Sequence, residues 1–188
     1  LNIIDCPGSD DFVGAALTSL NVTDTAVLLI NGQFGPEVGT QNHFRYTEKL
    51  GKPVIFLVNQ LDDPKCDYDA IVDELQGIYG PKVVPVQYPV ETGEGFHELI
   101  DVILMKKLTW GPDGGEPTLE DIPASELEKA EAMHKALVEA AAENDEGLME
   151  KFFETEHLTE DEMREGIRKG MVTRSIFPVF CVCASRNM

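Results

Sequence analysis

The sequence predicts an α/β fold in which an α+β subdomain is inserted into a parallel sheet with helices on both faces. Over the first 80 residues, short apolar segments alternate with stretches of helical periodicity, as strands and helices do around a parallel sheet. From residue 81 onwards, short strand patterns and glycine-rich turns are followed by acidic helices. The apolar run at 176–183 then returns as a last core strand. We therefore assign residues 1–80 and 174–188 to the core and residues 81–173 to the insert.

Three apolar segments of the first part are predicted to be strands of the parallel sheet. They lie at residues 1–5, 25–30 and 54–58. The second is apolar after Thr25, which indicates a strand covered on both faces. Apolar residues at helical spacing predict a helix at 10–20. Pro36 and Gly51 suit the start and the end of a second helix at 36–50, and Gly80-Pro81 ends a third at 68–79.

The first half of the insert is predicted to be an antiparallel sheet. Residues 83–90 and 99–110 have strand-like sequences, and a glycine-bearing loop joins them. The segment Gly-Pro-Asp-Gly-Gly at 111–115 is a strong turn signal. We therefore predict that the strand before this turn pairs with residues 117–122.

The second half of the insert is predicted to be helical. Ser125, followed three residues later by Glu128, is a capping-box pair, so a helix is predicted to begin there. Apolar residues recur along it at helical spacing, and glutamates occupy its other faces. Two shorter helices are predicted at 147–154 and 159–169, the latter with the capping-box pair Thr159 and Glu162.

The formal net charge of −19 is distributed unevenly along the chain. Such a charge argues against a basic groove for nucleic acid. Residues 111–172 contain 18 Asp and Glu against 6 Lys and Arg, so a net charge of −12 lies in this part. Two interpretations stay open: a solvated face that keeps the protein soluble, or an acidic surface that binds a basic partner.

The sequence shows no pattern typical of export or of membrane insertion. Its apolar runs are shorter than the roughly 18 residues that a spanning helix needs, and aspartates interrupt the N-terminal region where a signal peptide would be apolar. The four cysteines have neither Cys-x-x-Cys spacing nor histidines placed for zinc. We therefore expect reduced cysteines and a cytoplasmic protein without membrane contact.

A first motif that indicates nucleotide chemistry follows the strand predicted at 1–5. Asp5 ends that strand and Gly8 follows three residues later, which resembles the D-x-x-G motif of GTP-binding proteins. In that chemistry Asp5 would hold a magnesium-bound water, and the Gly8 amide would donate to the γ-phosphate. A glycine suits this position because a Cβ atom would block the close approach.

A second motif follows the strand predicted at 54–58. Asn59 and Asp62 resemble the N-K-x-D motif that reads guanine. A carboxylate at Asp62 can accept two N–H groups of guanine and rejects adenine, which lacks that donor pair. Asn59 would brace the loop and contact the acceptor edge of the base. Because ligands of parallel sheets bind at the carboxyl ends of the strands, we expect both motifs to meet the residues after the last strand, Cys183 and Ala184.

Over essentially its whole length the chain resembles the bacterial translation elongation factor G family. The segment NIIDCPG at 2–8 is similar to the family's N-[IL]-I-D-T-P-G, and FPVFC at 177–181 to the strand before its S-A motif. LMEK at 148–151, LTE at 158–160 and IRKG at 167–170 resemble its inserted subdomain. The resemblance implies a truncated GTPase core of the P-loop NTPase type, with GTP or GDP and Mg²⁺ as ligands of the complete protein and ribosomal translocation as its function.

Three positions depart from the family's motifs. Ser9 stands where the family has the catalytic histidine that orients the attacking water, and a serine hydroxyl cannot reach as far. Loss of a water-positioning residue can slow hydrolysis by several orders of magnitude, on the scale of roughly 10³–10⁵ known for comparable catalytic elements of such enzymes, so we expect impaired hydrolysis. Gln60 replaces the lysine of the base motif, which predicts weaker nucleotide binding, and Cys183-Ala184 replaces Ser-Ala, which we expect to be tolerated because the Ala184 amide can still donate to the base. Together these changes indicate a paralogue with altered nucleotide chemistry.

The resemblance also implies the ribosome as partner. In the family the inserted subdomain contacts the ribosomal stalk protein, and the acidic helix predicted at 125–143 is the candidate surface here. Contact with ribosomal RNA is expected only through docking of the complete protein. The glutamates proposed for the partner surface are Glu128, Glu131, Glu139 and Glu143.

The chain contains no G-x-x-x-x-G-K-[ST] phosphate loop, so we expect a fragment that runs from the D-x-x-G motif to the S-A motif. By itself it is expected to bind nucleotide poorly or not at all, because most phosphate contacts would be missing. In this fold the missing strand that carries the phosphate loop would lie beside the strand at 1–5. On its other side would be the strand at 54–58 or the strand next to that one. The fragment would then cover an exposed sheet edge by direct strand pairing or by dimerisation.

Two other functions stay open. A non-catalytic ribosome-binding module, such as a protection or rescue factor, shares the GTPase core, and domains beyond residue 188 would distinguish it. An acidic scaffold unrelated to translation is disfavoured by the length of the resemblance. Failure of the complete protein to pellet with ribosomes would support the scaffold.

Overall fold

A computed structural model describes residues 1–188 apart from the side chain of Asp10, and in it two four-stranded sheets organise the chain. The strands are β1 (Ala26–Asn31), β2 (Val54–Asn59), β3 (Val83–Pro85), β4 (Gln87–Pro89), β5 (Glu98–Asp101), β6 (Lys106–Thr109), β7 (Thr118–Glu120) and β8 (Phe177–Cys181). The α-helices are α1 (Val13–Val22), α2 (Val38–Lys49), α3 (Tyr68–Tyr79), α4 (Ala124–Ala142), α5 (Glu146–Thr155) and α6 (Glu160–Thr173). Short 3₁₀ turns lie at Asp10–Phe12 and Ala184–Arg186.

The first sheet is parallel and has the strand order β1-β2-β8-β3. Its register sets Asn31 of β1 beside Asn59 of β2, so the two strands end at the same level. Val58 of β2 lies beside Cys181 of β8. The predicted α/β fold with a parallel sheet is therefore confirmed, and the polar residues that follow β2 and β8 leave the sheet at one edge.

The second sheet is antiparallel and has the order β4-β5-β6-β7. The predicted turn at 111–115 joins β6 to β7, and Leu108 lies beside Leu119 in that hairpin. Gly114 and Gly115 have φ angles of +67° and +93°, which suit glycine. The predicted antiparallel pairing across this turn is confirmed, but the single strand predicted at 99–110 is wrong, because the chain turns after Asp101 and forms the antiparallel pair β5 and β6.

The segment predicted as one strand at 83–90 is divided between the two sheets. β3 pairs with β8 in the parallel sheet, whereas β4 pairs with β5 in the antiparallel sheet. Val86, between them, donates its N–H to Val179 O (3.0 Å) and accepts from Val102 N (3.0 Å). One strand of the parallel sheet thus comes from the segment 81–173 that was assigned to the insert. The boundaries between the core and the insert stay a prediction.

The helices confirm one predicted cap and correct another. Thr159 and Glu162 form the predicted capping box at the start of α6. Ser125 is not an N-cap, because α4 begins at Ala124 after Pro123, which has φ −64° and ψ 149° and offers no side-chain cap. The extended backbone of the proline sets the start of the helix ahead of the serine, and Ser125 falls inside the first turn.

The predicted strand at 1–5 does not form. β1 ends the parallel sheet, and beyond it no described strand offers these residues a hydrogen-bonded partner. A strand needs such a partner to be stable, and Leu1 and Ile3 remain 114% and 82% exposed. Direct pairing of residues 1–5 with a remaining strand of the sheet, one of the two expected ways of covering the sheet edge, is therefore not seen.

The prediction that the second strand is covered on both faces is wrong as well. Ala26 and Ile30 of β1 are buried, but Val27 and Leu29 on the opposite face are 52% and 61% exposed. Helix α2 packs against β1, which accounts for the covered face. Among the described residues, no helix combines the length and the apolar character that crossing a bilayer needs.

An aromatic cluster forms part of the core of the parallel sheet. The rings of Phe44, Phe56, Tyr79 and Phe177 lie with neighbouring centroids 4.2–6.5 Å apart. The guanidinium of Arg174 covers Phe44 and Phe177 at 5.4 and 5.3 Å and donates to the Lys52 carbonyl. This packing joins α2, α3 and β8 and holds the end of α6 against the sheet.

Candidate functional site

The ends of β2 and β8 are joined by a hydrogen bond between two predicted site residues. The Ala184 N–H donates to Asn59 Oδ1 over 3.1 Å. One step earlier, Val182 N donates to Val58 O (2.9 Å), which extends the pairing of the two strands. Through this hydrogen bond the Asn59 side chain contacts the segment after β8, in keeping with its predicted bracing role. The bond uses the Ala184 amide, which was expected to donate to a base.

Asp62 is held at the same end of the sheet by the residues that follow Ala184. The Ser185 hydroxyl donates to Asp62 Oδ2 (3.0 Å), and Arg186 Nε lies 3.3 Å from the same oxygen. Partial burial raises the pKa of Asp62, but hydrogen bonds from the Cys183 and Ser185 side chains and the Arg186 charge outweigh burial and keep that pKa below its usual value. The carboxylate is therefore ionised at neutral pH and can act as a pure acceptor.

The carboxylate of Asp62 retains capacity for a ligand. An ionised carboxylate offers about four acceptor positions, and the contacts with Ser185 and Arg186 both use Oδ2. Positions on the carboxylate are therefore left that can accept N–H donors from a ligand.

Gln60 and Gly32 complete the loop around Asp62. Gln60 is exposed and has a φ of +63°, so its backbone turns sharply directly after Asn59. Gly32, directly after β1, donates its N–H to Asn59 O (2.8 Å). A Cβ atom at Gly32 would lie 2.6 Å from Asn59 O and 2.8 Å from Gln60 O, so this contact requires a glycine. Gly32 was not among the site residues predicted from the sequence, although its position at the end of a predicted core strand was a usable signal.

Cys183 is a buried thiol beneath the loop. Its Sγ lies 3.3 Å from the Ser185 hydroxyl, and burial raises its pKa. A protonated thiol packs as a small apolar group. The Cys183 side chain therefore packs in the core next to the loop. The backbone of Cys183 closes a turn with Met188 through N–H···O bonds of 2.8 and 3.1 Å.

Asp5, Gly8 and Ser9 lie in the N-terminal segment, and all three are exposed. The thiol of Cys6 donates to Ser19 Oγ over 3.1 Å, which ties the segment to α1. Gly8 O lies 3.9 Å from where a Cβ atom of Gly39 in α2 would be. Among the described residues, no hydrogen bond or ion pair joins this segment to the loop of Asn59 and Asp62. The expected convergence is therefore seen for Asn59, Asp62, Cys183 and Ala184, whereas the roles of Asp5, Gly8 and Ser9 stay predictions.

The four predicted partner-binding glutamates lie along α4 and at its C-terminal end. The buried stripe of the same helix runs through Ala130, Leu137, Val138 and Ala141. At the end of α4 an open groove of about 350 Å³ continues the acidic surface onto α5, where Phe153 is 76% exposed. The four glutamates, all exposed, are Glu128, Glu131, Glu139 and Glu143.

The described side chains include no group of three or more His, Cys, Asp or Glu residues arranged to hold a metal ion. Asp5 alone is a single carboxylate, which does not bind Mg²⁺ without further oxygen ligands. These residues could therefore bind a metal ion only together with a ligand that supplies most of the oxygen atoms around it.

Comparisons with known proteins agree with this geometry. The family model of the elongation factor Tu GTP binding domain matches residues 1–188. A crystal structure of a protein from Thermus thermophilus superposes with a TM-score of 0.87 at 30% sequence identity. The similarity covers 97% of this chain but 27% of that protein, so the chain spans about a quarter of its length.

Proposed function

Because the chain belongs to the family of elongation factor Tu GTP-binding domains, we propose that it is the base-reading part of a GTP-binding ribosomal translocation factor of the elongation factor G type. The observation that carries this proposal is the hydrogen bond from Ala184 N to Asn59 Oδ1 beside the ionised Asp62. The antiparallel sheet inserted between α3 and β8 supports the elongation factor G type.

Guanine is the base that this site suits best. Asp62 accepts the N1–H and the exocyclic N–H of guanine, and adenine cannot offer this pair. Ala184 N exchanges its bond to Asn59 Oδ1 for one to the base oxygen, so that little hydrogen-bond energy is lost. The alkyl stem of Gln60 covers the base face without a cation, and for that reason we expect weaker binding than with lysine.

The phosphate side of the site depends on the N-terminal segment. We propose that Gly8 donates to the γ-phosphate and that Asp5 holds Mg²⁺ through a water. When bound, Mg²⁺ would supply positive charge that offsets the charge of the phosphates. The oxygen ligands that the described residues lack would come from the nucleotide.

Ser9 stands at the position that orients the attacking water. Its short hydroxyl side chain neither reaches as far nor takes a positive charge as a histidine does. We therefore propose that this protein binds GTP and hydrolyses it slowly. The segment of Ser9 is exposed, so a larger side chain can be introduced there without a packing penalty.

The acidic surface of α4 and the groove beside it are proposed to bind a basic ribosomal protein at the stalk. The charge of residues 111–172 attracts such a partner, and Met149 and Phe153 offer it an apolar contact. Contact with ribosomal RNA is proposed to come only from docking of the complete protein.

The test measures ribosome-stimulated GTP turnover by the complete protein. The wild type is compared with the Ser9→His and Ser9→Ala variants. We expect negligible turnover by wild type and by the alanine control, and a gain of about 10³–10⁵ with histidine. Robust wild-type turnover would contradict the proposed slow hydrolysis. Failure of the protein to sediment with ribosomes in GTP would contradict the function in translation.

A second candidate, a ribosome protection or rescue factor that does not need hydrolysis, is favoured by one observation, the serine at position 9. The two candidates differ in the movement of mRNA on the ribosome. A translocation factor advances the mRNA by a codon in a toe-printing assay, whereas a protection or rescue factor binds without advancing it.

A further inference from the structure

Arg186 belongs to the proposed base-reading loop, by which we mean residues 59–62 with 183–186, and it contacts three separate groups. Its Nε lies 3.3 Å from Asp62 Oδ2. Its Nη1 donates to Phe96 O and its Nη2 to Glu94 O, both over 3.0 Å. A guanidinium is a planar group of five donors, so its two Nη atoms can hold one loop while Nε faces a carboxylate.

The loop that Arg186 holds is itself anchored to the base-reading loop. It joins β4 to β5, and its Gly93 N donates to Leu61 O over 2.8 Å. Phe96 closes the turn with an N–H bond to Gly93 O (2.9 Å), and its side chain is fully buried. The two carbonyls that accept from Arg186 therefore belong to a fixed structure of the antiparallel sheet.

The turn between β6 and β7 of the antiparallel sheet holds the next residue of the same segment. Gly115 N donates to Asn187 O over 3.0 Å. A Cβ atom at Gly114 would collide with Arg186 O, so the turn packs directly on this backbone. Ser185, immediately before, shares Asp62 Oδ2 with Arg186. Two turns of one sheet thus clamp the residues that orient Asp62.

We propose that Arg186 is a positioning residue that fixes the direction of the Asp62 carboxylate, and that the antiparallel sheet supports guanine selectivity through it. This inference rests on the proposed reading of guanine by Asp62. With Oδ2 anchored, the carboxylate does not have to be ordered when two base donors arrive, which removes part of the cost of binding. Loss of the anchor therefore weakens the contacts of the base with Asp62 more than the rest of the nucleotide, and a base with two donors loses more affinity than a base with one.

The test compares GDP with inosine diphosphate, which lacks the exocyclic amine, in the longest polypeptide that the gene encodes. We expect Arg186→Ala to lower the ratio of the two affinities by about three- to tenfold, the range that follows from ordering one side chain. Arg186→Lys keeps the charge without the fork, and we expect an intermediate ratio. Arg168→Ala, which removes an exposed ion pair on α6, is the matched control and leaves the ratio unchanged.

If Arg186→Ala and Arg186→Lys leave the ratio of the GDP and inosine diphosphate affinities unchanged, Arg186 has only a structural role. That result would overturn the inference. If the alanine variant does not fold, the lysine variant decides by the same ratio. Failure of the proposed function is distinguishable, because it shows in the wild type as equal affinity for GDP and ADP.

Discussion

The base-reading loop and the N-terminal face of this molecule carry motifs of comparable sequence strength but very different structure. The base-reading loop, residues 59–62 with 183–186, is named for its proposed role, and by N-terminal face we mean residues 1–9 with the exposed side of β1. In the first, backbone and side-chain groups of the segments that follow β2 and β8 are joined by hydrogen bonds to one another and to a carbonyl of the β4–β5 loop. In the second, Asp5 is exposed and Leu29 of β1 is 61% exposed. The difference shows that a motif acquires a geometry only where neighbouring elements supply its partners.

The largest expected effect is a difference in the free energy of unfolding between substitutions on the two faces of β1. Ile30→Ala removes a side chain that is 1% exposed and should lower the free energy of unfolding by about 2–5 kcal/mol. Leu29→Ala, one residue earlier on the uncovered face, should change it by no more than about 0.5 kcal/mol. Urea unfolding of the 188-residue chain measures both values. Equal losses would mean that the N-terminal face is covered in solution.

The next effect concerns the contact of Gly32 with the base-reading loop. Gly32→Ala introduces a Cβ atom against two backbone oxygens, and we expect a loss of about 1–3 kcal/mol in the free energy of unfolding. Gly77→Ala in α3 is the matched control, because a Cβ atom there meets no atom within 4 Å. It should stabilise the helix by about 0.5–1 kcal/mol. A neutral Gly32→Ala would show that the loop is mobile enough to move aside.

The smallest effect is the pH dependence contributed by Asp62. Its pKa is below the usual 3.8 in the folded protein, so its contribution to stability is complete above that value and is lost as pH falls through the folded pKa. Asp62→Asn should therefore melt at a lower temperature than wild type at pH 7, and the gap should narrow below pH 3.8. Asp73→Asn, on the exposed side of α3, is the control. A gap that widens on acidification would contradict the sign of this shift.

Sequence patterns predicted well those elements whose signals are local. The bounds predicted for α3 coincide with Tyr68–Tyr79, and the pair Thr159 and Glu162 caps α6 as expected. The turn at 111–115 joins two antiparallel strands. In each case the determining residues lie within a few positions of one another, so no distant contact can override them.

The features that were mispredicted or missed depend on distant residues. An apolar run at 1–5 satisfies the pattern of a strand, yet a strand forms only beside a partner, and none of the described strands flanks it. Arg186 contacts residues about ninety positions earlier, and no local pattern marks it. Gly32 is required by the backbone of Asn59. The four residues that do meet at the site were predicted because strand ends in a parallel sheet converge by topology.

The measurement that tests the central claim most directly is the base preference of Asp62→Asn in the longest polypeptide that the gene encodes. Xanthine carries an oxygen where guanine has its exocyclic amine, and an asparagine amide can donate to that oxygen. We predict that wild type binds GDP at least about 10²-fold more tightly than xanthosine diphosphate and that Asp62→Asn reverses this preference. A variant that still prefers GDP would contradict the assignment of Asp62 as the residue that reads guanine.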